Sequence, residues 1–265
     1  MRVTTAQLPG PDKSDDRIFI GPDVVIMLDG ASAFEPAEVT AADYVDHLGP
    51  MLLNNLARHQ VAPLVDGLSA AIEQTASTLG LVPGGAPSST VAIVRVRRDV
   101  VDLLVLGDTQ IATPDGILID DRIAGVGTEH RSAYRARLRE GRGYDSEHRA
   151  LLRQLQQEQR RHRNRHEGYW IAEADPTAAA QSIVDTRDRH RTPWLVLATD
   201  GAYRSMIQLG IDDWSRVADR NDADLTDLLS RCREWEAEAD PDGIELPRAK
   251  RHDDKSLAAI RVNND

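Results

Sequence analysis

A single cysteine, Cys232, stands in a chain of 265 residues. No disulfide can form within the chain, so packing must hold the fold. No apolar run approaches the ~18 residues of a membrane span, and the N-terminal stretch from Met1 to Asp16 reads as a polar, proline-punctuated lead-in with no apolar core of a signal peptide. No Cys and His cluster stands at metal-ligand spacing; His162 and His166, four apart, suit a metal on a helix only weakly, and no zinc site is expected. Positive charge is in deficit, with 32 Lys and Arg against 43 Asp and Glu and a net charge of -11. A pI near 5.2 argues against nucleic acid as a partner, because neutralising phosphates is the main source of that affinity. These absences predict a soluble cytoplasmic protein with neither membrane nor nucleic acid among its partners. An apolar share of 41% is ample for one core, and the whole chain, 1–265, reads as a single domain.

What the chain does have is aspartate at the ends of apolar runs. Val24 to Gly30 reads VVIMLDG: five apolar residues, enough for a strand buried on both faces, followed by Asp29 and Gly30. A lone Asp-Gly pair is most often a hairpin turn. Here the pattern recurs, in WLVLATDG ending at Gly201 and, reversed, in HDDKSLAAIRV from His252 to Val262. A carboxylate at the end of a rigid strand is fixed in place, as hard cations require of their oxygen ligands, and a glycine lets its carbonyl approach the same ion.

Asp15 and Asp16 precede a short strand, Arg17 to Ile20, and Gly21-Pro22-Asp23 turns it into Val24 to Leu28. Apolar residues at three- and four-residue steps from about Thr40 to Leu81 predict two amphipathic helices that cover a sheet face, with Gly49-Pro50 as a kink or a true start. Ser89–Val96, Val100–Leu106, Gln110–Thr113 and Gly116–Ile119 read as an antiparallel meander interrupted at Gly107-Asp108. The segment 120–192 is a variable, flap-like stretch with helices over Ser132–Glu140 and Glu147 to about Arg165, a short strand Tyr169–Ala172 and a short helix Thr177–Val184. A strand Trp194–Ala198, helices over Asp212–Ala218 and Leu225–Glu238, a loop Pro241–Arg251 and a closing strand Leu257–Val262 complete the chain.

Asp16, Asp29, Asp108, Asp200 and Asp253 or Asp254 all adjoin apolar strands. So many acids share one pocket only if cations neutralise them. An all-oxygen donor set favours magnesium or manganese over zinc, and two such ions held close together activate a water for attack on a phosphoryl group. The basic run Glu158 to His166, EQRRHRNRH, reads first as a solvated helix end or flap and second as a grip for a phosphorylated partner or nucleic acid.

These residues resemble the metal-dependent Ser/Thr protein phosphatases of the 2C type. The acidic pair before RIFI, the strand VVIMLDG, the strand SSTVAIVRV with the turn DLLVLGDTQ, the strand LVLATDG and the closing HDDKSLAAIRV follow that family's motifs in order over nearly all the chain. The resemblance implies an α+β fold, a four-layer α-β-β-α sandwich of two antiparallel sheets flanked by helices. It implies two Mg2+ or Mn2+ ions and a possible third, with a phosphorylated protein as substrate. It makes Asp29 the bridging ligand, Gly30 a carbonyl ligand, Asp200 and Asp253 ligands of one ion, Asp16 a partner that reaches the ions through another ligand or a water, and Asp108 a candidate for the third ion. Of Asp253 and Asp254, which lie on opposite sides of a strand entry, Asp253 is taken to face the metals. The chain departs from the family where DGASAF lacks a second glycine, where GDTQ replaces Gly-Asp-Ser-Arg, and where Lys13 is the only cation near the position of the usual phosphate-binding arginine. Three functions follow in order of preference: a phosphoserine and phosphothreonine phosphatase using a metal-activated water, a weak or inactive binding module on the same fold, and a nucleic-acid binder through the basic run.

Overall fold

The computed structural model describes residues 1–31 and 38–262. The strands are β1 (Arg2–Leu8), β2 (Asp16–Ile20), β3 (Val24–Gly30), β4 (Ser89–Val96), β5 (Val100–Leu106), β6 (Gln110–Thr113), β7 (Gly116–Leu118), β8 (Ile183–Asp188), β9 (Trp194–Ala198) and β10 (Lys255–Arg261). The helices are α1 (Ala41–Arg58), α2 (Leu64–Leu79), α3 (Thr128–Arg139), α4 (Ser146–His162), α5 (Asp200–Gln208), α6 (Trp214–Val217) and α7 (Asp222–Glu238). One sheet has the order β1-β10-β9-β6-β7, the other β2-β3-β4-β5-β8, and the neighbouring strands pair antiparallel.

The uninterrupted apolar run of β3 reflects burial on both faces. Val25 and Met27 point into the layer between the sheets, where they meet Ala92, Leu103, Leu197 and Ile260. Ile26 and Leu28 point outward to α1 and α2, against Leu48, Leu52, Leu68 and Ile72. On the other outer face Val196, Ala198 and Leu257 pack against Met206, Leu225, Leu228 and Leu229 of α5 and α7. The result is the four-layer α-β-β-α sandwich.

Thr40 caps α1 in a reciprocal box with Asp43, and the helix continues through Pro50 to Arg58. The preceding Gly49 lets the Phe19 ring lie directly on the helix, since a Cβ there would stand 1.9 Å from it. Among the described residues, no helix is long and apolar enough to cross a membrane.

Four local expectations need correction. The first residues form β1, which pairs with β10, rather than a polar lead-in. The expected meander is broken, because β5 belongs to one sheet and β6 to the other, so the chain crosses the sandwich at Gly107-Asp108. Tyr169 to Ala172 makes only isolated bridges, to Arg163 and Ser89. The helix expected to Val184 stops as a 3-10 turn at Gln181, and β8 follows. Both β1 and β8 are edge strands, and edges carry polar residues on both faces, which erases the alternation by which strands are read.

Candidate metal and phosphate site

Antiparallel pairing decides where the acids go. Asp16, the first residue of β2, stands opposite Asp29 near the end of β3, and Asp29 stands opposite Thr90 at the start of β4. Ala198 at the end of β9 pairs with Leu257 of β10 and with Gln110 of β6, so the residues flanking those ends, Asp200, Asp253 and Asp108, share the same sandwich edge. Asp29, Gly30, Asp108, Asp200 and Asp253 all line one cavity of about 560 Å³. Asp16 lies beneath it, buried and accepting a 2.8 Å hydrogen bond from Ser256 Oγ.

Glycines set the close approaches. Gly107 has φ +88°, which turns the chain between the sheets with its Cα against Thr90. A Cβ on Gly201 would stand 2.1 Å from the Asp254 carbonyl oxygen. Gly201→Ala is therefore expected to cost roughly 2 kcal/mol or more, lowering the thermal midpoint by about 5 °C. An unchanged midpoint in calorimetry would show that the loop yields freely.

The adjacent aspartates part ways. Asp253 faces the cavity, while Asp254 turns back and accepts hydrogen bonds from Ser14 Oγ at 2.9 Å and Asp15 N at 2.7 Å, tying the closing strand to the entry of β2. Lys13 sits exposed on the 3-10 turn Pro11–Lys13 and does not line the cavity. That turn leaves its side chain toward solvent, apart from the cavity that the aspartates line. Of the stretch DGASAF, the residues from Ser32 onward lie outside the described residues, so the expectation about its missing second glycine falls there.

The cations at this edge are others. Arg204, one turn after Asp200 on α5, places Nη1 3.4 Å from Asp200 and Nη2 3.5 Å from Asp108. Lys250 Nζ lies 3.0 Å from Asp253 Oδ1. Arg131, Arg135 and Arg139 of α3 form part of the opposite wall. The four-residue spacing in RSAYRARLR was visible in the sequence, and Arg204 follows from seeing that Asp200 opens a helix rather than ending a strand. Nothing local marked Lys250, which a loop brings in.

The electrostatics follow. Burial, reinforced by Asp16, Asp200 and Asp253, holds Asp29 well above the usual carboxylate range. Burial lifts Asp16 to about 7, against the hydrogen bond from Ser256. Burial and then Asp200 lift Asp108 to about 6. Burial is also the largest influence on Asp253, yet Lys250, Lys255 and the Asp254 amide together outweigh it and leave that carboxyl below its ordinary value.

Asp16 gives a signed test. Its carboxyl titrates near 7 when folded and near about 3.9 when unfolded, so between those values the folded chain holds more protons. Stability contributed by this group is present below about pH 3.9 and is lost as pH rises through 7. In chelator, wild type should lose up to about 4 kcal/mol relative to Asp16→Asn between pH 4 and 7. Urea unfolding of both proteins at each pH checks it, and a gap between them that does not change with pH would refute the burial argument.

Divalent cations match the chemistry of this donor set: oxygen only, in excess, and partly desolvated. The spacing is open, however. Among the described residues, no three His, Cys, Asp or Glu side chains already stand together as a group that could hold a metal ion. Arg204 and Lys250 lie against the carboxylates instead.

The middle of the basic run, Arg161 to Arg163, has partners within the chain. Arg163 pairs with buried Glu173 at 3.2 Å and donates to the Ala86 carbonyl, while Glu158 takes Arg161 and His162.

No family model matches this sequence, and no curated protein matches it at a significant level. Solved structures do resemble it. The PPM Ser-Thr phosphatase MsPP from Mycobacterium smegmatis, solved with cacodylate, superposes with a TM-score of 0.53 at 17% identity, over 99% of each chain. Serine-threonine phosphatase 2C from Toxoplasma gondii gives 0.52 at 16%, over 98% of this chain and 94% of that one. The catalytic domain of the phosphatase PstP, in complex with two manganese ions, gives 0.51 at 13%, over 99% and 98%. The sandwich thus has the fold of the PPM, or 2C-type, Ser/Thr phosphatases, in a divergent version.

Proposed function

We propose that this chain is a metal-dependent phosphatase acting on phosphoserine and phosphothreonine in proteins. The observation that carries the reading is the convergence of Asp29, Asp108, Asp200 and Asp253 in one cavity at the sheet edge of this fold. Asp29, the Gly30 carbonyl, Asp200 and Asp253 are the residues that would hold two Mg2+ or Mn2+ ions, with Asp108 toward a third. When bound, such ions supply an activated water and neutralise the phosphoryl oxygens.

The chain's own residues do the rest. Buried Asp16, across the β2–β3 pair from Asp29, shares a proton with its surroundings near neutrality and keeps the Ser256 side of β10 in register. Arg204, once released from Asp108 and Asp200, offers its guanidinium to a phosphate, which it grips through paired hydrogen bonds.

The experiment is phosphate release from an aryl phosphate and from a phosphopeptide, with manganese and with chelator. Release that requires the metal is expected. Metal binding without release from either substrate would overturn the reading in favour of a non-catalytic module on the same fold. That second reading has one observation behind it: Arg204 and Lys250 already neutralise three of the aspartates.

A further inference from the structure

The wall facing the aspartates carries a rank of arginines. Arg131, Arg135 and Arg139 recur every four residues on α3, so they lie along one face at steps of about 6 Å, and all three line the cavity. Arg131, nearest the acids, is tied down: its Nη2 donates to the carbonyls of Ile123 and Val126 at 3.0 and 3.1 Å. Its Nε is buried with no hydrogen-bond partner among the described residues.

Arg135 is half-buried over the Tyr134 ring, and Arg139 is exposed. Neither has a carboxylate at ion-pair distance among the described residues. Arg137, on another face of the same helix, is by contrast neutralised twice, by Asp145 at 2.7 Å and Glu147 at 2.8 Å. Among the described residues, the three arginines that line the cavity therefore keep no carboxylate partner at ion-pair distance, while Arg137, turned toward the start of α4, is paired there. The helix pair is also firmly seated: His148 of α4 reaches the Ala249 carbonyl at 2.9 Å, and the rings of Tyr134 and Tyr144 stand edge-on to it.

An extended peptide rises about 3.3 Å per residue and shows every second side chain on one face, at steps near 7 Å. That step matches the arginine step on α3. We propose that Arg135 and Arg139 select phosphoproteins whose phosphorylated residue is flanked on one side by acidic side chains at alternate positions, with Arg131 at the phosphate end. The proposal rests on the phosphatase reading and names its substrate class. It also answers an electrostatic difficulty, because a chain of net charge -11 repels acidic segments unless a local cationic surface receives them.

The test reads binding, so it stands whether or not the chain turns over. Fluorescently labelled peptides carry a non-hydrolysable phosphonate analogue of phosphoserine with either Glu or Gln at the second and fourth positions on both sides. Anisotropy is measured with manganese present. Each exposed pair is worth roughly threefold, so the Glu peptide should bind about tenfold more tightly at low salt, and the preference should shrink at high salt. Arg135→Gln with Arg139→Gln should bring the two peptides level. Arg135→Glu with Arg139→Glu should reverse the order in favour of a peptide with Lys at those positions, which also shows that the variant is folded. Equal binding of the Glu and Gln peptides by wild type, or a preference that survives the double substitution, would overturn the proposal. Absence of phosphate release from every substrate would sink the enzymatic reading and leave this comparison intact.

Discussion

Asp29→Asn should abolish most phosphate release and, in the absence of metal, make the protein more stable. Both effects come from one fact: this carboxylate is held among Asp16, Asp200, Asp253 and Asp108 at the end of a buried strand. Without a cation, its charge is opposed by burial and by its neighbours, so a neutral amide of the same shape relieves the fold. With cations bound the sign reverses, because the side chain proposed to serve both ions has lost its charge. Substitutions in the outer surroundings of a metal site already cost about 10- to 100-fold in affinity or activity, so a shared ligand should cost on the order of a hundredfold or more. The check is a pair of measurements on each protein: phosphate release with manganese, and urea unfolding in chelator. Loss of activity together with a less stable metal-free protein would mean that Asp29 supports the fold rather than the site. Full activity would remove it from the metal set.

The second large effect is a gain. Lys250→Gln should raise manganese affinity about tenfold. In the free protein the ammonium lies 3.0 Å from Asp253, and although burial works against its charge, Asp253 with Asp254 and Asp29 behind it keeps it protonated. An incoming ion therefore competes with a tethered cation for the same carboxylate. The pair is about one-third open to solvent, which limits its strength to about 1.4 kcal/mol, or a factor of ten in affinity. Calorimetric titration with manganese reads this without any substrate. An affinity that is unchanged or weaker in Lys250→Gln would show that Lys250 holds Asp253 in place rather than guarding it.

The two substitutions separate what the chain's residues do at one edge. On the proposed function, Asp29 should be costly without metal and required with it, whereas Lys250 should help without metal and compete with it. An acidic edge that carries its own cations would then stay folded before loading.

The aspartates could be read from the sequence because each adjoins an apolar run long enough to be a buried strand, and a buried run has few alternative conformations. VVIMLDG, WLVLATDG and HDDKSLAAIRV therefore announced both a strand and the carboxylate beside its end. The paired helices over 41–79 were legible for a similar reason, since one apolar face had to cover the outer side of β3. The division of labour between Asp253 and Asp254 was open, because both lie in the loop before β10, and contacts with Ser14 and Asp15 from the far end of the chain direct the second away from the cavity.

What the tertiary structure alone decided is the charge that faces those acids. Lys250 arrives on a loop, Arg204 through the start of α5 at Asp200, and the α3 arginines through a helix pair seated on Ala249, and all of these placements are long-range. Lys13, near the acids in sequence, is carried out to solvent by a single 3-10 turn. Strand ends are fixed by local burial and pairing, which leave a pattern in the chain. The partners of a charge are fixed by which distant elements pack beside it, and that information is spread over the whole fold.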